Sequence, residues 1–390
     1  MRTAMCTFVC AALMGLTTST AAAQDNMNDV IGFLVTNRSV RTGDFERDRA
    51  AADAARETIT RALLVNLTSV PLVTSSGGFV YRVNPELGTV ERASESFGGF
   101  FVERALTAGA GHATIGLTAH ASSFDHLDGA NLRDGSFVTV ANQFRDETAP
   151  FDSDTLTLRV RTNVLTVFGS VGVTDRLEVG AAVPFVDLRI EGERRNIYFG
   201  DAFAEASGEG SASGVGDVAL RAKYLLASGR SGAFSAGFEV RLPTGDETNL
   251  LGTGKASYRM IGIGSYESGG IVLNVNGGVI LSGISDELNV SGSASYAVHP
   301  RVTIAGEVLL RHVTDLQTIE LAAVPHPSIL DVDTWRLAAG DSGVTLSRAV
   351  AGVKWNASGR IVIGAHVAFP LAQRGLTAPL TPMVAVEYGF

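Results

Sequence analysis

From residue 110 to its end the chain alternates apolar with polar or small residues in short stretches separated by turns. A period of two belongs to a strand with one greasy face and one mixed face. The last stretch shows it most clearly: Val384, Val386, Tyr388 and Phe390 form one row, and Met383, Ala385, Glu387 and Gly389 form the other. A closing strand that ends on an aromatic residue is what bacterial outer-membrane barrels look like. Similar stretches lie at 110–124, 156–172, 177–190, 217–227, 233–242, 255–266, 271–281, 288–298, 301–313, 344–355, 361–371 and 381–390. That predicts an all-β, transmembrane, antiparallel up-and-down β-barrel of about 12 strands, within a range of roughly 10–14.

The connections sort as such a barrel requires, with short turns at one end and freedom of length at the other. Short connections fall at 174–176, 228–232, 268–270, 299–300 and 356–359, and long ones at 125–154, 191–216, 243–254 and 314–343. With the last strand ending in the periplasm, the short set is periplasmic. The stretch 137–144 and a short hairpin upstream are further candidates for the wall.

Residues 24–109 break the pattern. The stretch 45–67 is rich in alanine, with Ala55, Ile59, Ala62 and Leu63 at helical spacing and charges between them, so it predicts an amphipathic helix. An apolar patch at 70–73 follows, then a hairpin of 79–83 against 89–92, too short to span. This segment reads either as a plug or as a periplasmic tether or rim hairpin. Ahead of it, Arg2, the apolar stretch 4–16 and Ala21-Ala22-Ala23 before Gln24 read as a signal peptide over 1–23. The expected organisation is therefore 1–23 signal peptide, 24–109 plug or periplasmic segment, and 110–390 barrel, exported to the bacterial outer membrane.

Composition agrees. The chain has 44 Gly and 11 Pro in 390 residues, and its mean hydropathy is positive although no long apolar run exists. Hydrophobicity spread thinly in alternation is the barrel signature. The formal charge of −9 gives no electrostatic reason to expect nucleic acid. Both cysteines, Cys6 and Cys10, lie in the expected signal, so disulfides and thiolate metal sites are excluded from the mature chain.

In a transmembrane barrel the mixed row faces the lumen. The alternation assigns Arg159, Arg161, Asp217, Arg221, Lys223, Glu239, Arg241, Glu307, Arg311, Arg348, Lys354 and Glu387 to the lumen, with Asn163, Asn274, Asn276, Ser291, Ser293, Ser295 and His366. In two strands the phase is ambiguous, since Thr162 and Thr166 would face lipid and Arg259 sits among apolar residues. The charged rows suit either a permeation path that favours anionic solutes or a lumen filled by pairing between neighbouring strands. Tyr224, Tyr296, Trp355, Tyr388 and Phe390 would form an interfacial girdle. Enzymatic signals are weak: seven scattered histidines show no metal-ligand spacing, 252–255 lacks the glycine and hydroxyl of a phosphate loop, and 214–217 opens a strand and no helix. No catalytic residue, metal or cofactor is expected.

The run Gly214-Val215-Gly216-Asp217-Val218-Ala219-Leu220-Arg221-Ala222-Lys223-Tyr224, then Arg241-Leu242-Pro243-Thr244-Gly245-Asp246 and Leu251-Gly252-Thr253-Gly254, resembles the outer-membrane barrel family named for the meta-pathway of phenol degradation. The upstream segment 96–109, and Gly352-Val353-Lys354-Trp355-Asn356, Phe369-Pro370-Leu371 and Gly375-Leu376 near the end, are similar to that family too. The resemblance implies a transporter with no catalytic residues. By analogy with barrels that pass hydrophobic compounds, the expected role is a channel for small hydrophobic or aromatic molecules. The alternatives are a non-conducting structural or adhesion barrel with functional outer loops and, more remotely, a hydrolase on the wall. Strand kinks such as Pro184 are candidate lateral openings. Expected partners are outer-membrane lipid and lipopolysaccharide, an unidentified small solute, and the barrel-assembly machinery, reached through the strand ending in Phe390.

Overall fold

The computed structural model describes residues 26–68, 78, 81–83, 90–92, 94 and 96–390. The expected signal peptide and the 70–73 patch lie outside them. Twelve strands form the wall: β1 Ala113–Phe124, β2 Asp152–Gly172, β3 Leu177–Tyr198, β4 Val218–Ser228, β5 Gly232–Leu242, β6 Ser257–Ser268, β7 Ile271–Ser282, β8 Glu287–His299, β9 Val302–Pro325, β10 Val332–Asn356, β11 Ile361–Pro370 and β12 Thr381–Gly389. Each pairs antiparallel with the next. The ring closes where β12 meets β1, with Met383 opposite His120 and Gly389 opposite Thr114. Ala113 and Phe390 exchange backbone hydrogen bonds of 2.8 and 2.9 Å at the seam. A closed ring leaves no unpaired edge in the bilayer, which a sheet needs in order to span it.

The outer face is apolar in rows such as Ile115 and Leu117, Leu273 and Val275, and Val384 and Val386, all well exposed. Tyr224, Tyr266, Tyr296, Trp355, Tyr388 and Phe390 are exposed near the short-turn ends, forming the periplasmic girdle. The inward rows are polar and buried, including Ser235, Asn274, Asn276, Ser293, Ser295 and Thr303. A closed antiparallel ring with an even strand count, apolar outside and polar inside, is an outer-membrane barrel.

The structure corrects the expectation of long outer loops at 125–154, 191–216 and 314–343, while 243–254 is a loop as expected. Beyond the membrane the wall continues as sheet: β3 and β10 run for 22 and 25 residues, about twice what a tilted span needs. Residues 201–215, expected in a loop, form the strand Asp201–Val215, which pairs with the outer half of β3 and leads into β4 through Gly216 and Asp217. The strand Phe137–Phe144 bridges the outer parts of β2 and β10 above β1, β11 and β12. The wall is low at β5–β8, where the outer connection between β7 and β8 is only 283–286. Among the described residues, no strand pairs with the far edge of Asp201–Val215 or with the β8-facing edge of β9 beyond Thr314.

Two helices stand at this low side. In α1, Met27–Val35, Asn26 caps the first turn by accepting from the Asp29 N–H, and Met27, Val30, Ile31, Leu34 and Val35 form the buried face. The helix α2, Phe45–Thr68, covers the predicted helix, with Ala52, Ala55, Ile59, Ala62 and Leu63 buried. Both belong to one apolar cluster that also takes Phe124, Leu158, Leu188, Leu251, Val313 and Leu346 from the wall and its outer connections. A cluster that touches strands on opposite sides of the ring lies inside it. Arg61 of α2 donates to the carbonyls of Asp315, at 2.9 Å, and Ile284, at 3.5 Å, anchoring the helix over the β7–β8 turn. On the other side a Cβ at Gly192 would lie 2.4 Å from Leu34 Cδ1, so α1 docks only because β3 has no side chain there. Upstream of the barrel, Tyr81–Val83 and Val90–Arg92 pair antiparallel as predicted.

Candidate functional site

Between the helices and β1, residues 96–109 cross the periplasmic half of the lumen as an irregular strap. Outside a helix or sheet a backbone needs other partners, and the wall supplies many of them. The Phe97 N–H donates to Thr303 Oγ1 at 3.0 Å, that of Ala105 to Ser265 Oγ at 2.8 Å, and that of Ala108 to Glu178 Oε2 at 2.7 Å. Lys223 Nζ donates to the carbonyls of Arg104 and Leu106 at 3.2 and 3.0 Å. Ser96 and Ser295 share a hydroxyl contact of 2.8 Å. These partners sit on β3, β4, β6, β8 and β9, so the strap is laced across the ring. Phe100 stacks on His366 with centroids 4.1 Å apart, and Phe97 packs on Val362.

Most predicted lumen charges meet here as pairs. Arg221 lies between Glu103 of the strap, at 3.0 Å, and Glu239, at 3.3 Å. Arg241 pairs with Glu239 at 3.0 Å, Lys223 with Glu178 at 3.7 Å and Lys354 with Glu387 at 3.5 Å. Arg311 forks onto Glu287 with bonds of 2.9 and 2.6 Å. Each is largely buried, where removing one partner leaves an uncompensated charge. Sequence reasoning missed Glu103, Glu178 and Glu287; Glu178 was findable, since it stands opposite Lys223 across the β3–β4 ladder. Arg348 reaches the Asn66 side chain at the end of α2. Among the described residues no group of three or more His, Cys, Asp or Glu could hold a metal ion.

Arg159, Arg161 and Asn163 are corrected, together with Thr162 and Thr166, and Asp217 is refined. The first three lie on the exposed row of β2, while Leu158, Val160, Thr162, Val164 and Thr166 are buried inside. At this height the lumen holds apolar helix rather than water, so the inward row is greasy and the charges face outward, Arg161 towards Glu191 at 3.9 Å. Thr162 and Thr166, expected towards lipid, are inward for the same reason. Asp217 is buried, but its carboxylate gathers a loop: Oδ1 accepts from the Gly245 N–H at 3.1 Å, and Oδ2 from the Thr253 N–H and hydroxyl at 2.8 Å each. The motif residues that carry the family resemblance thus meet at one corner, where the 243–256 loop folds onto the top of β4.

That corner also holds a gap in one edge of the wall. On that edge β3 pairs Phe185 with Val215 and Ala182 with Ala219, leaving Val183 and Pro184 without ladder partners there, while on the other edge both pair with β2. Pro184 has no N–H to give, and the Gly216 N–H donates to its carbonyl at 2.8 Å. Outside, an apolar groove of about 1070 Å³ runs from β10 to this break, lined by Ala351, Ala365, Val384, Ala121, Leu165 and Phe185 among others. Inside, a small cavity of about 30 Å³ lies against Val164, Pro184, Val186, Gly216, Leu64 and Leu251. Val164 and Val186 border both.

The chain is similar to an outer-membrane channel from Pseudomonas putida F1, at 12% identity, over 73% of this chain and 98% of that one, with a TM-score of 0.48. It is similar to the KdgM porin at 9% identity, over 71% and 99%, TM-score 0.38, and to the NanC porin at 7%, over 70% and 98%, TM-score 0.36. No curated protein matches the chain. Residues 141–318, which include the Asp217 corner, match the family described as MetA-pathway of phenol degradation, the family that its motifs resemble.

Proposed function

We propose that this outer-membrane barrel is a gated channel for small hydrophobic or aromatic molecules, with α1, α2 and the strap as its plug. The observation that carries this reading is the apolar groove on the lipid-facing side, which ends where the β3 ladder is broken. A solute dissolved in the outer leaflet gains nothing by returning to water and partitions readily into such a groove. From there the gap at Pro184 and Gly216 is the way through the wall in this reading, with the apolar side chains Leu64, Leu67 and Leu251 behind it. The ion pairs described argue against selection for anions, since in them five cations meet five carboxylates. To reach the periplasm the solute must pass the strap, so the strap has to move.

A reversible lock tests this. The hydroxyls of Ser96 and Ser295 already touch, so a Ser96→Cys, Ser295→Cys chain should form a disulfide between strap and wall. Expected results are low ion conductance in planar bilayers and slow uptake of an uncharged aromatic fluorophore by intact cells while oxidised, both restored by a reductant. Filling the groove with Ala121→Trp should slow fluorophore uptake and leave ion conductance alone. The second reading, a non-conducting structural barrel, is favoured by the buried ion pairs lacing the lumen; absence of conductance and uptake in every state would establish it.

A further inference from the structure

We infer that Glu307 is the latch of the plug: a positioning residue on the wall whose carboxylate holds the strap closed by filling a backbone anion nest. The inference rests on the gated-channel reading and names its control point. Glu307 projects inward from β9 and is 3% exposed. Its Oε1 accepts from the Phe100 N–H at 2.6 Å and from the Val102 N–H at 3.4 Å, and its Oε2 accepts from the Phe101 N–H at 3.0 Å. Three successive amides converging on one carboxylate form the concave donor array that binds anions elsewhere. The local sequence builds it: Gly98 has φ +71°, and a Cβ at Gly99 would lie 2.0 Å from Glu307 Oε1.

The other lumenal glutamates described above each face a cation within 4 Å, whereas no ion pair of Glu307 is found among the described residues. Its charge is answered by strap amides instead. The consequence is a one-sided dependence. When the strap leaves, Glu307 loses these donors and three strap amides lose their acceptor at once, so seating is all-or-none at this point. Phe100 and Phe101 flank the nest and pack with Ala305, Val350, Ala368 and Met383, so amide release and withdrawal of both rings are coupled.

The test compares Glu307→Gln and Glu307→Ala with the native chain by amide exchange over residues 96–106, with heat-modifiable gel mobility as the check that the barrel is folded. Glu307→Ala should raise exchange at Phe100, Phe101 and Val102 at least tenfold with the wall strands unchanged. Glu307→Gln, which keeps one acceptor oxygen, should fall between. Conductance should rise in the same order and collapse when Glu307→Ala is combined with the oxidised Ser96→Cys, Ser295→Cys lock. Unchanged strap exchange in the folded variants would overturn the latch. Raised exchange without any gain in conductance or fluorophore uptake would uphold the latch and remove the channel reading instead. If Glu307→Ala fails to fold, Glu307→Gln alone decides, because its strap exchange either rises or does not.

Discussion

Two aspartates show how much one carboxylate can organise in this chain. Asp217 satisfies two backbone amides and a hydroxyl of the 243–256 loop. Leaving such donors unpaired costs ~1–3 kcal/mol, so Asp217→Ala should expose this loop to proteolysis, read by limited digestion in detergent, while the barrel stays folded. Asp154, at the outer tip of β2 and beyond the membrane, is fully buried beside Arg194, 3.6 Å away, and Asn196. Burial pushes its carboxyl up from its usual range to about 6. A carboxyl raised in the folded state contributes stability that is complete below its unfolded value and is lost as pH rises through about 6. Arg194 donates to the carbonyls of Leu34 and Thr36 at the end of α1, so that docking should loosen from pH 4 to pH 7. An amide-exchange profile of α1 should show it, and Asp154→Asn should flatten it; the same slope in both chains would refute the assignment. Asp217 was legible as a buried motif residue. Its job was not, because the partners are backbone amides 28 and 36 residues away. Arg159 and Arg161 were misplaced for a different reason, since the polar-in rule assumes a wet lumen and theirs is filled by helix.

Among the elements, the strands were readable and their outer lengths were not. The turns at the periplasmic end punctuate clearly, so the spanning part of each strand was found from alternation alone. Outside the membrane the stretches 191–216 and 314–343 have no lipid to impose a clean pattern. Their sheet is completed by α1 and α2, which pack on the inner face. The helix α2 was predicted from its spacing, whereas α1 is only nine residues, shorter than the ~12–15 at which an isolated helix becomes marginally stable. It exists because Gly192 leaves room for Leu34. Gly192→Ile should therefore displace α1 without unfolding the wall. Trypsin should then cut rapidly at Arg38 and Arg41, where the native chain should resist.

At the scale of the whole molecule, the membrane-embedded belt can be located by charge. Val275, 61% exposed on the outside of β7, sits mid-span, and Val275→Arg should destabilise the barrel by ~2–4 kcal/mol in a reversible urea titration. Arg161→Ala, outward but beyond the lipid, should change it by less than about 0.5 kcal/mol. The strap has a consequence of another kind, for how the molecule is made. Along the chain, the helices at the outer end and the strap at the periplasmic end both come before the wall that encircles them. Since β12 is the last strand and pairs with β1, a sheet still open along that seam can curl around the N-terminal segment, whereas a sealed ring would have to be threaded by two helices. On the plug reading proposed above, assembly and plugging are a single event, and the hydrogen bonds exchanged between Ala113 and Phe390 complete both.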